Sequence, residues 1–215
     1  MAPMQIDFVS DVVCPWCFIG LARLDEALTK AGIPRDVLSF HPFQLDPSTP
    51  PEGADLRERL RAKYGVDPEV MFGRVEAAAK EAGLCIDFGK VRRHPNTLKA
   101  HTLIGAALDV GKQYEVARAL FEAHFLEGQD IGDTNVLAAV ASRSGVEAER
   151  ATAIVSDEAA LAKTRAEARA FAEQGIGGVP FILFEGRFAV SGAQPPEVFA
   201  HAIERAKSLP LDGRA

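Results

Sequence analysis

The chain has 215 residues, of which 47% are hydrophobic and 25% charged, and its 24 Lys and Arg against 30 Asp and Glu give a formal net charge of −6. This is the composition of an ordinary globular protein. Because the chain is acidic and has no basic stretch interleaved with aromatic residues, we expect it to bind neither nucleic acid nor an anionic membrane surface.

The first part of the chain alternates strand and helix patterns. Residues 4–9 are an apolar extended run that predicts a strand, residues 14–30 follow a helical pattern closed by Gly32, and residues 37–45 predict a second strand. These patterns predict a β-α-β unit. The segment 46–51 (DPSTPP) then interrupts them, because its three prolines are not tolerated inside a helix or a central strand.

The centre of the chain is expected to be almost wholly helical, with no strand pattern. Four helices are predicted there, each opened or closed by a capping residue or a glycine: 67–83, 96–111, 114–126 and one that begins at Asp133. The basic residues at alternate positions 57–63 indicate the solvated face of a further helix. After Asp157 an Ala-rich helix leads to strands over 179–184 and 187–190, and a last helix follows Pro195.

The motif Cys14-Pro15-Trp16-Cys17 stands between the first strand and the first helix. Cys14 falls at the N-cap and Pro15 at the first helical position, where its missing N–H costs no hydrogen bond. The amides of Trp16 and Cys17 are then expected to point towards the Cys14 sulfur and to stabilise its thiolate. Two cysteines at this spacing can also close a disulfide, so the pair is predicted to have an oxidised and a reduced state.

The sequence supports two other roles of the cysteines, metal binding and a structural disulfide, less well. A structural zinc site needs four ligands, and beyond the motif the chain offers Cys85 and five scattered histidines, with no second C-x-x-C. We therefore expect no metal. A purely structural disulfide would close so short a loop that it would remove little entropy from the unfolded chain. Redox or thiol catalysis by Cys14 and Cys17 is the favoured interpretation.

The segment before the cysteine motif helps to predict the cellular compartment of the protein. The first basic residue is Arg23, which leaves no room for a charged region and a cleavable apolar stretch before Cys14. No segment reaches the run of about 18 apolar residues that spans a bilayer. An odd number of cysteines, with Cys85 left over, is typical of a reducing compartment. We expect a cytoplasmic protein with no membrane partner.

Other conspicuous residues have ordinary interpretations. His101 and His124 lie on predicted helices and are expected to be packed or solvent-edge histidines rather than catalysts. Asn96 is expected to be an N-cap. Cys85, between Leu84 and Ile86, is expected to be a buried apolar thiol.

Four segments of the chain resemble the DsbA-like thioredoxin family, specifically its cytoplasmic FrnE-like branch. They are residues 10–17 (SDVVCPWC), 96–101 (NTLKAH), 120–128 (LFEAHFLEG) and 175–180 (GIGGVP), so that the resemblance spans nearly the whole chain. It implies an α/β, thioredoxin-like fold made of residues 1–45 and 156–215 and interrupted by an all-helical insertion domain of residues 46–155. It also implies an active site in the groove between the two domains.

The resemblance adds a second pair of site residues. It implies that the Val179–Pro180 bond is cis and faces the cysteines, and a proline at the start of a strand is compatible with this. The Val179 backbone would then hold a substrate chain as an added strand. Pro15 and Trp16 are expected at the rim of the groove. Trp16 stands where the DsbA prototype has a histidine, so the disulfide is expected to be less oxidising than that of DsbA.

The leading functional hypothesis is a thiol–disulfide oxidoreductase. The Cys14 thiolate forms a mixed disulfide with a thiol- or disulfide-containing protein or small molecule, and Cys17 resolves it. The alternative is a glutathione-dependent isomerase or transferase, because 2-hydroxychromene-2-carboxylate isomerases and kappa-class glutathione transferases resemble this architecture. Those relatives have a serine at the position of Cys14 and lack the resolving cysteine. No tightly bound cofactor is expected, and glutathione is a candidate co-substrate.

Overall fold

The computed structural model describes residues 4–209, which contain nine α-helices and six β-strands. The helices are α1 (Pro15–Lys30), α2 (Leu56–Tyr64), α3 (Pro68–Glu81), α4 (Leu98–Ala107), α5 (Gln113–Phe125), α6 (Thr134–Arg143), α7 (Ala148–Val155), α8 (Glu158–Glu173) and α9 (Pro196–Ser208). The strands are β1 (Ile6–Ser10), β2 (Leu38–Pro42), β3 (Ala54–Asp55), β4 (Arg93–His94), β5 (Phe181–Phe184) and β6 (Phe188–Ser191). Each predicted element is present, with ends that differ by a few residues.

A four-stranded mixed sheet with the order β2-β1-β5-β6 forms the core. Strand β1 runs parallel to β2 and antiparallel to β5, so that Phe8 lies opposite both Phe40 and Ile182. Ile6 and Phe8 on one face of the strand and Val9 on the other are at most 1% exposed, while Asp7 is half-buried. A strand that is buried on both faces is rich in apolar residues, which is the signal that predicted it. The end of β1 delivers the chain to the cysteine motif.

Helix α1, which begins at the cysteine motif, is held against α5 by two kinds of contact. The Phe18 ring is nearly parallel to the Phe121 ring, with centroids 5.4 Å apart, and lies 6.1 Å from Phe125. One turn before the end of α1, the nearly buried Asp25 carboxylate accepts a hydrogen bond of 2.6 Å from the Tyr114 hydroxyl. These contacts fix the helix that carries both cysteines relative to the helices of the predicted insertion.

Acidic residues begin most of the other helices. The N-cap side chain accepts a hydrogen bond from a first-turn amide in α2, α3, α6 and α8; these caps are Asp55, Asp67, Asp133 and Asp157. Asn96 caps α4 in a slightly different way from that predicted. The N-cap position belongs to Thr97, and Asn96 Oδ1 accepts from the Leu98 amide at 3.0 Å.

A short antiparallel ladder interrupts the region that was expected to be almost wholly helical. Ala54 pairs with His94 and Asp55 with Arg93. Two residues per strand are too few to show an alternation of apolar and polar residues, so the sequence carries no signal for them. The ladder brings His94 close to the chain that enters α2, and through it close to the cysteine motif.

The division into two domains stays a prediction. The four-stranded sheet is built from residues 6–42 and 181–191, while residues 46–155 supply α2 to α7 and the short ladder. The outer ends of the predicted thioredoxin-like domain, residues 1–3 and 210–215, lie outside the described residues. Within residues 4–209, no helix is long and apolar enough to cross a membrane.

The outer edge of β2 is closed by one side chain of α5. The Phe40 N–H donates to Gln113 Oε1 at 2.9 Å, and Gln113 Nε2 donates to the Phe40 carbonyl at 3.1 Å. Gln113 is 6% exposed, so both groups of Phe40 would lose their partner and remain buried in its absence. The pairing stabilises the sheet edge and ties α5 to the sheet.

Gln113→Leu should therefore lower the free energy of unfolding by about 2–4 kcal/mol, because it leaves one buried donor and one buried acceptor unpaired. Urea unfolding followed by circular dichroism measures this change. The matched control is Gln174→Leu at the exposed end of α8, which should shift the free energy by less than about 0.5 kcal/mol. Equal urea midpoints for the two variants would show that the hydrogen bonds between Gln113 and Phe40 contribute nothing to stability.

Candidate active site

The backbone places both cysteines in the first turn of α1. Cys14 is the N-cap residue, as predicted, with φ −89° and ψ 110°, and Pro15 follows as the first helical residue. The Cys14 N–H donates to the Asp11 carbonyl at 2.9 Å, and the Cys14 carbonyl accepts from the amides of Cys17 (3.0 Å) and Phe18 (3.3 Å). Proline is favoured at this position because its N–H would have no helical partner.

Within residues 4–209, the Cys14 side chain makes no capping hydrogen bond with the helix amides, although the sequence predicted that the amides of Trp16 and Cys17 point towards its sulfur. Its thiol donates instead to the Val179 carbonyl, 3.7 Å from Sγ. Both cysteines are free, so this is the dithiol form. A thiol proton needs an acceptor, and the Val179 carbonyl supplies one.

Cys17 is fully buried behind Cys14. Burial raises the pKa of the Cys17 thiol well above its usual value, and the hydrogen bond with Cys14 and the charge of that neighbour raise it further. A backbone hydrogen bond from Asp11 acts in the opposite direction. The two cysteines therefore differ through their surroundings: one borders a cavity, and the other is held as a thiol in the core.

The Val179–Pro180 peptide bond is cis, as the resemblance implied. Pro180 is buried against Gly20 on α1, where an added Cβ would lie 3.0 Å from Pro180 Cγ and 3.6 Å from the Ala193 Cβ. The Pro180 carbonyl accepts from the Gly192 amide at 2.8 Å. Because Gly20 has no side chain, Pro180 can pack closely against α1, the helix that begins at the cysteine motif.

A buried carboxylate lies three residues before Cys14. Asp11 is 1% exposed. Its Oδ2 accepts from the Leu45 amide at 2.8 Å, and its Oδ1 lies 3.2 Å from His101 Nε2. His101 is buried, as a packed histidine was expected to be, and it has this specific partner. One feature of the sequence could have identified Asp11: it is an acidic residue inside an apolar stretch next to the cysteine motif.

A cavity of about 240 Å³ opens beside Cys14, and we call it the side pocket. Its apolar wall comes mainly from the helices of the predicted insertion: Leu56, Leu60, Met71, Phe72, Val75, Phe88 and Phe125. Its polar lining residues are Asp46, Arg59, Lys63, His94 and His124. Val13, Cys14, Pro15, Trp16, Leu45 and Tyr64 complete the lining. Trp16 is 38% exposed at this place.

Arg59 lies at a half-exposed position of the predicted solvated face and also has a partner outside α2. Its guanidinium makes two hydrogen bonds with the Asp46 carboxylate, from Nε at 2.7 Å and from Nη2 at 2.8 Å. These bonds hold the pKa of Asp46 well below its usual value. Arg57 is also engaged, with Nε 2.7 Å from Glu69 and its guanidinium carbon 5.1 Å from the centre of the Phe72 ring. Alternation of basic residues along a helix does not reveal which of them find partners outside that helix.

The two histidines that line the side pocket are uncharged near neutral pH. Burial lowers the pKa of His124 to about 4, and burial also lowers the pKa of His94. His124 fits the packed role expected of it. His94 Nε2 lies 3.8 Å from Asp46 Oδ2. The sequence does not indicate a role for His94, because the two-residue strands that position it have no recognisable pattern.

Cys85 is exposed, and the prediction of a buried thiol is wrong. Leu84 and Ile86 on either side of it are buried. The segment after α3 has no regular secondary structure here, and the two apolar residues take the buried side while the thiol between them faces solvent. Within residues 4–209, no group of three or more His, Cys, Asp or Glu side chains is arranged to hold a metal ion.

Residues 5–204 match the family described as DSBA-like thioredoxin domain. A probable DsbA oxidoreductase from Streptomyces coelicolor is 30% identical, with a TM-score of 0.86 over 99% of this chain and 93% of that one. Cytosolic disulfide reductase DsbM from Pseudomonas aeruginosa, solved with glutathione, is 20% identical, with a TM-score of 0.67 over 95% and 100%. A 2-hydroxychromene-2-carboxylate isomerase is 17% identical, with a TM-score of 0.69 over 94% and 95%. The last two show a likeness of fold.

Gly20→Ala tests the contact with Pro180. The new Cβ would lie 3.0 Å from Pro180 Cγ, and a buried ring cannot move aside as a flexible side chain can, so overpacking should lower the free energy of unfolding by about 1 kcal/mol or more. The control is Gly105→Ala on α4, where an added Cβ has no neighbour within 4 Å; it should raise the free energy by about 0.5–1 kcal/mol. A stability gain in both variants, measured by urea unfolding, would contradict the close packing.

His124 should make the protein less stable in acid. Its pKa is about 4 in the folded chain against 6.5 as the ordinary value, so between these values the unfolded chain binds more protons and stability falls as the pH falls. The contribution lost from pH 6.5 to pH 4 is about 3 kcal/mol. His124→Gln should flatten unfolding free energy against pH in this window, whereas His201→Gln, at an exposed position on α9, should leave the slope unchanged. An unchanged slope in His124→Gln would refute the assignment.

Proposed function

The chain belongs to the DsbA-like thioredoxin family, and on that premise we propose that it is a thiol–disulfide oxidoreductase that acts through Cys14 and Cys17. The observation that carries the proposal is the unequal pair at the start of α1. Cys14 borders the side pocket and lies 3.7 Å from the carbonyl of Val179, while Cys17 is sealed behind it. Both cysteines are buried, but Cys14 lines the pocket and keeps 4% of its surface exposed, so it is the sulfur proposed to meet a substrate.

In the reductive direction, the Cys14 thiolate attacks one sulfur of a substrate disulfide. The Cys14–substrate bond forms as the substrate S–S bond breaks, and the first substrate thiolate leaves. The helix N-terminus favours the negative charge on Cys14 before attack. The thiol of Cys14 must first give up its hydrogen bond to Val179, which frees that carbonyl to accept a hydrogen bond from an incoming chain.

The second step is made easier by the first. In the dithiol, the hydrogen bond with Cys14 and the charge of Cys14 help to raise the pKa of Cys17. Once Cys14 is in a mixed disulfide its sulfur no longer carries this charge, so Cys17 ionises more readily. The Cys17 sulfur then attacks Cys14, the intramolecular disulfide forms, and the second substrate thiolate leaves. The protons of the two cysteines end on the two product thiols.

The remaining predicted site residues are proposed to hold the substrate. Val179 offers its backbone to an extended chain, because Pro180 cannot continue a ladder of hydrogen bonds there. Pro15 and Trp16 line the side pocket next to Cys14 and are proposed as its rim. In the reducing cytoplasm expected for this chain, glutathione is the proposed co-substrate that returns the disulfide to the dithiol. The likeness of fold to DsbM, solved with glutathione, supports that choice.

Cys17→Ser separates the two steps. The variant should still attack a disulfide through Cys14 but should stop there, so that the mixed disulfide accumulates and multiple turnover is abolished. Mass spectrometry of the unreduced protein after reaction with oxidised glutathione or a peptide disulfide measures the adduct. Cys85→Ser is the matched control, since Cys85 is exposed and outside the site, and it should turn over like the wild type.

The same variants test the alternative, a glutathione-dependent isomerase or transferase, which the 2-hydroxychromene-2-carboxylate isomerase fold keeps open. Such an enzyme would require added glutathione, would keep its rate in Cys17→Ser, and would not change the redox state of its own cysteines during turnover. A rate that depends on glutathione but not on Cys17 would decide against the proposal.

A further inference from the structure

A second cavity, which we call the α8 pocket, borders the loop that follows β2 and has a volume of about 300 Å³. Its polar lining comes from that loop, from the residue two before α4 and from α8: Gln44, Thr49, Asn96, Arg165 and Arg169. It shares no lining residue with the side pocket, which takes Leu45 and Asp46 from the same loop. The proposed dithiol chemistry makes no use of the α8 pocket.

Two arginines of α8 line this cavity without a counter-ion. Arg165 and Arg169 are four residues apart on the helix and therefore lie on the same face. Both are exposed, and within residues 4–209 neither guanidinium makes a hydrogen bond or an ion pair. No Asp or Glu lines the cavity, and Glu173, one turn after Arg169, lies outside the lining. Two positive charges are thus brought together with no acidic side chain in the lining to neutralise them.

Thr49 is an independent sign that the cavity lacks a partner. It lines the same cavity and is 3% exposed. Within residues 4–209, its Oγ1 is the one buried side-chain N or O atom that has no hydrogen-bond partner. Asn96 Nδ2 donates to the Thr49 carbonyl at 2.7 Å, which fixes the residue in this place. An unpartnered buried hydroxyl is destabilising, and a bound acceptor removes that cost.

The first turn of α4 adds a partial positive charge. Leu98, the first residue of this helix, lines the cavity, and the N-terminus of a helix favours anions. The surroundings do not attract anions in general, since the chain carries a formal net charge of −6. An anion in the α8 pocket would therefore be held by these local groups.

From this combination we infer that the α8 pocket binds a phosphate group. Two guanidinium groups match the roughly 1.5–2 negative charges of a phosphate monoester at neutral pH, and their N–H donors suit its oxygens. The Thr49 hydroxyl donates to a further oxygen. The volume is at the lower end of the range for small-molecule sites, so inorganic phosphate and the phosphate ester of a small molecule both fit. The inference does not depend on the proposed function.

Calorimetric titration of the full chain at constant ionic strength tests the inference with three probes: inorganic phosphate, glycerol 3-phosphate and succinate. The phosphate probes should bind saturably at one site per chain, and succinate, which has two charges but no phosphate group, should bind about tenfold more weakly. Tighter binding of the ester assigns the site to an esterified phosphate, and otherwise the site takes free phosphate; either supports the inference. Succinate binding as tight as that of the phosphate probes overturns it.

The arginine variants test which groups hold the anion. Arg165→Gln and Arg169→Gln should each weaken phosphate binding about tenfold or more, because each removes charge-assisted hydrogen bonds. Arg150→Gln makes the same change of charge at an exposed position of α7 outside the lining, and its affinity should stay within about twofold of the wild type because distant surface charges are screened. An equal loss in all three variants would show a general effect of net charge and overturn the site.

Thr49→Val separates binding from folding. Valine keeps the shape of threonine without the hydroxyl, and Oγ1 has no partner to lose in the free protein. The variant should therefore unfold in urea at the wild-type midpoint or above it, while its affinity for phosphate falls about tenfold. A lower midpoint with unchanged affinity would assign the hydroxyl to the fold and contradict the site. A wild type that binds neither phosphate probe saturably would overturn the inference and leave the proposed function intact.

Discussion

The packing of Phe18 against Phe121 is the contact on which the rest of the site depends. It holds α1 to α5 with the rings nearly parallel and their centroids 5.4 Å apart. Cys14 and Cys17 begin α1, whereas His124 and Phe125 at the end of α5 line the side pocket. Close-packed interiors transmit displacements of one side chain to its neighbours. One aromatic contact therefore sets the position of the sulfurs relative to the cavity beside them.

Two carboxylates, the buried Asp11 and the half-buried Asp46, keep the loops around the sulfurs in place. Asp11 binds the Leu45 amide and His101, and Asp46 binds Arg59. A carboxylate in such a position is tolerated only when its oxygens have partners, and a satisfied network of this kind allows one arrangement of the chain. The loop after β1 and the loop after β2 are thus tied to each other and to α4 and α2. These hydrogen bonds and ion pairs offset the cost of removing the charges from water.

The features predicted from the sequence are those with a local cause. The C-x-x-C motif, the caps Asp133 and Asp157, and the apolar run of β1 each depend on a few neighbouring residues. What escaped prediction depends on distant partners: Arg59 meets Asp46 across a loop, and His94 is placed by a ladder of two residues per strand. The cis bond at Pro180 was predicted only through the family resemblance, because local chemistry alone favours trans.

The chemistry of the pair and the shape of its surroundings have a common origin. An apolar shell raises the pKa of Cys17 and so favours its thiol form. The same shell, continued past Cys14 by Phe72 and Phe125, forms the apolar wall of the side pocket. A polar or charged wall would hydrate the space beside Cys14 and weaken both effects, since water solvates thiolates and competes for apolar surface. The asymmetry between the cysteines and the apolar wall beside Cys14 therefore belong to one desolvated environment.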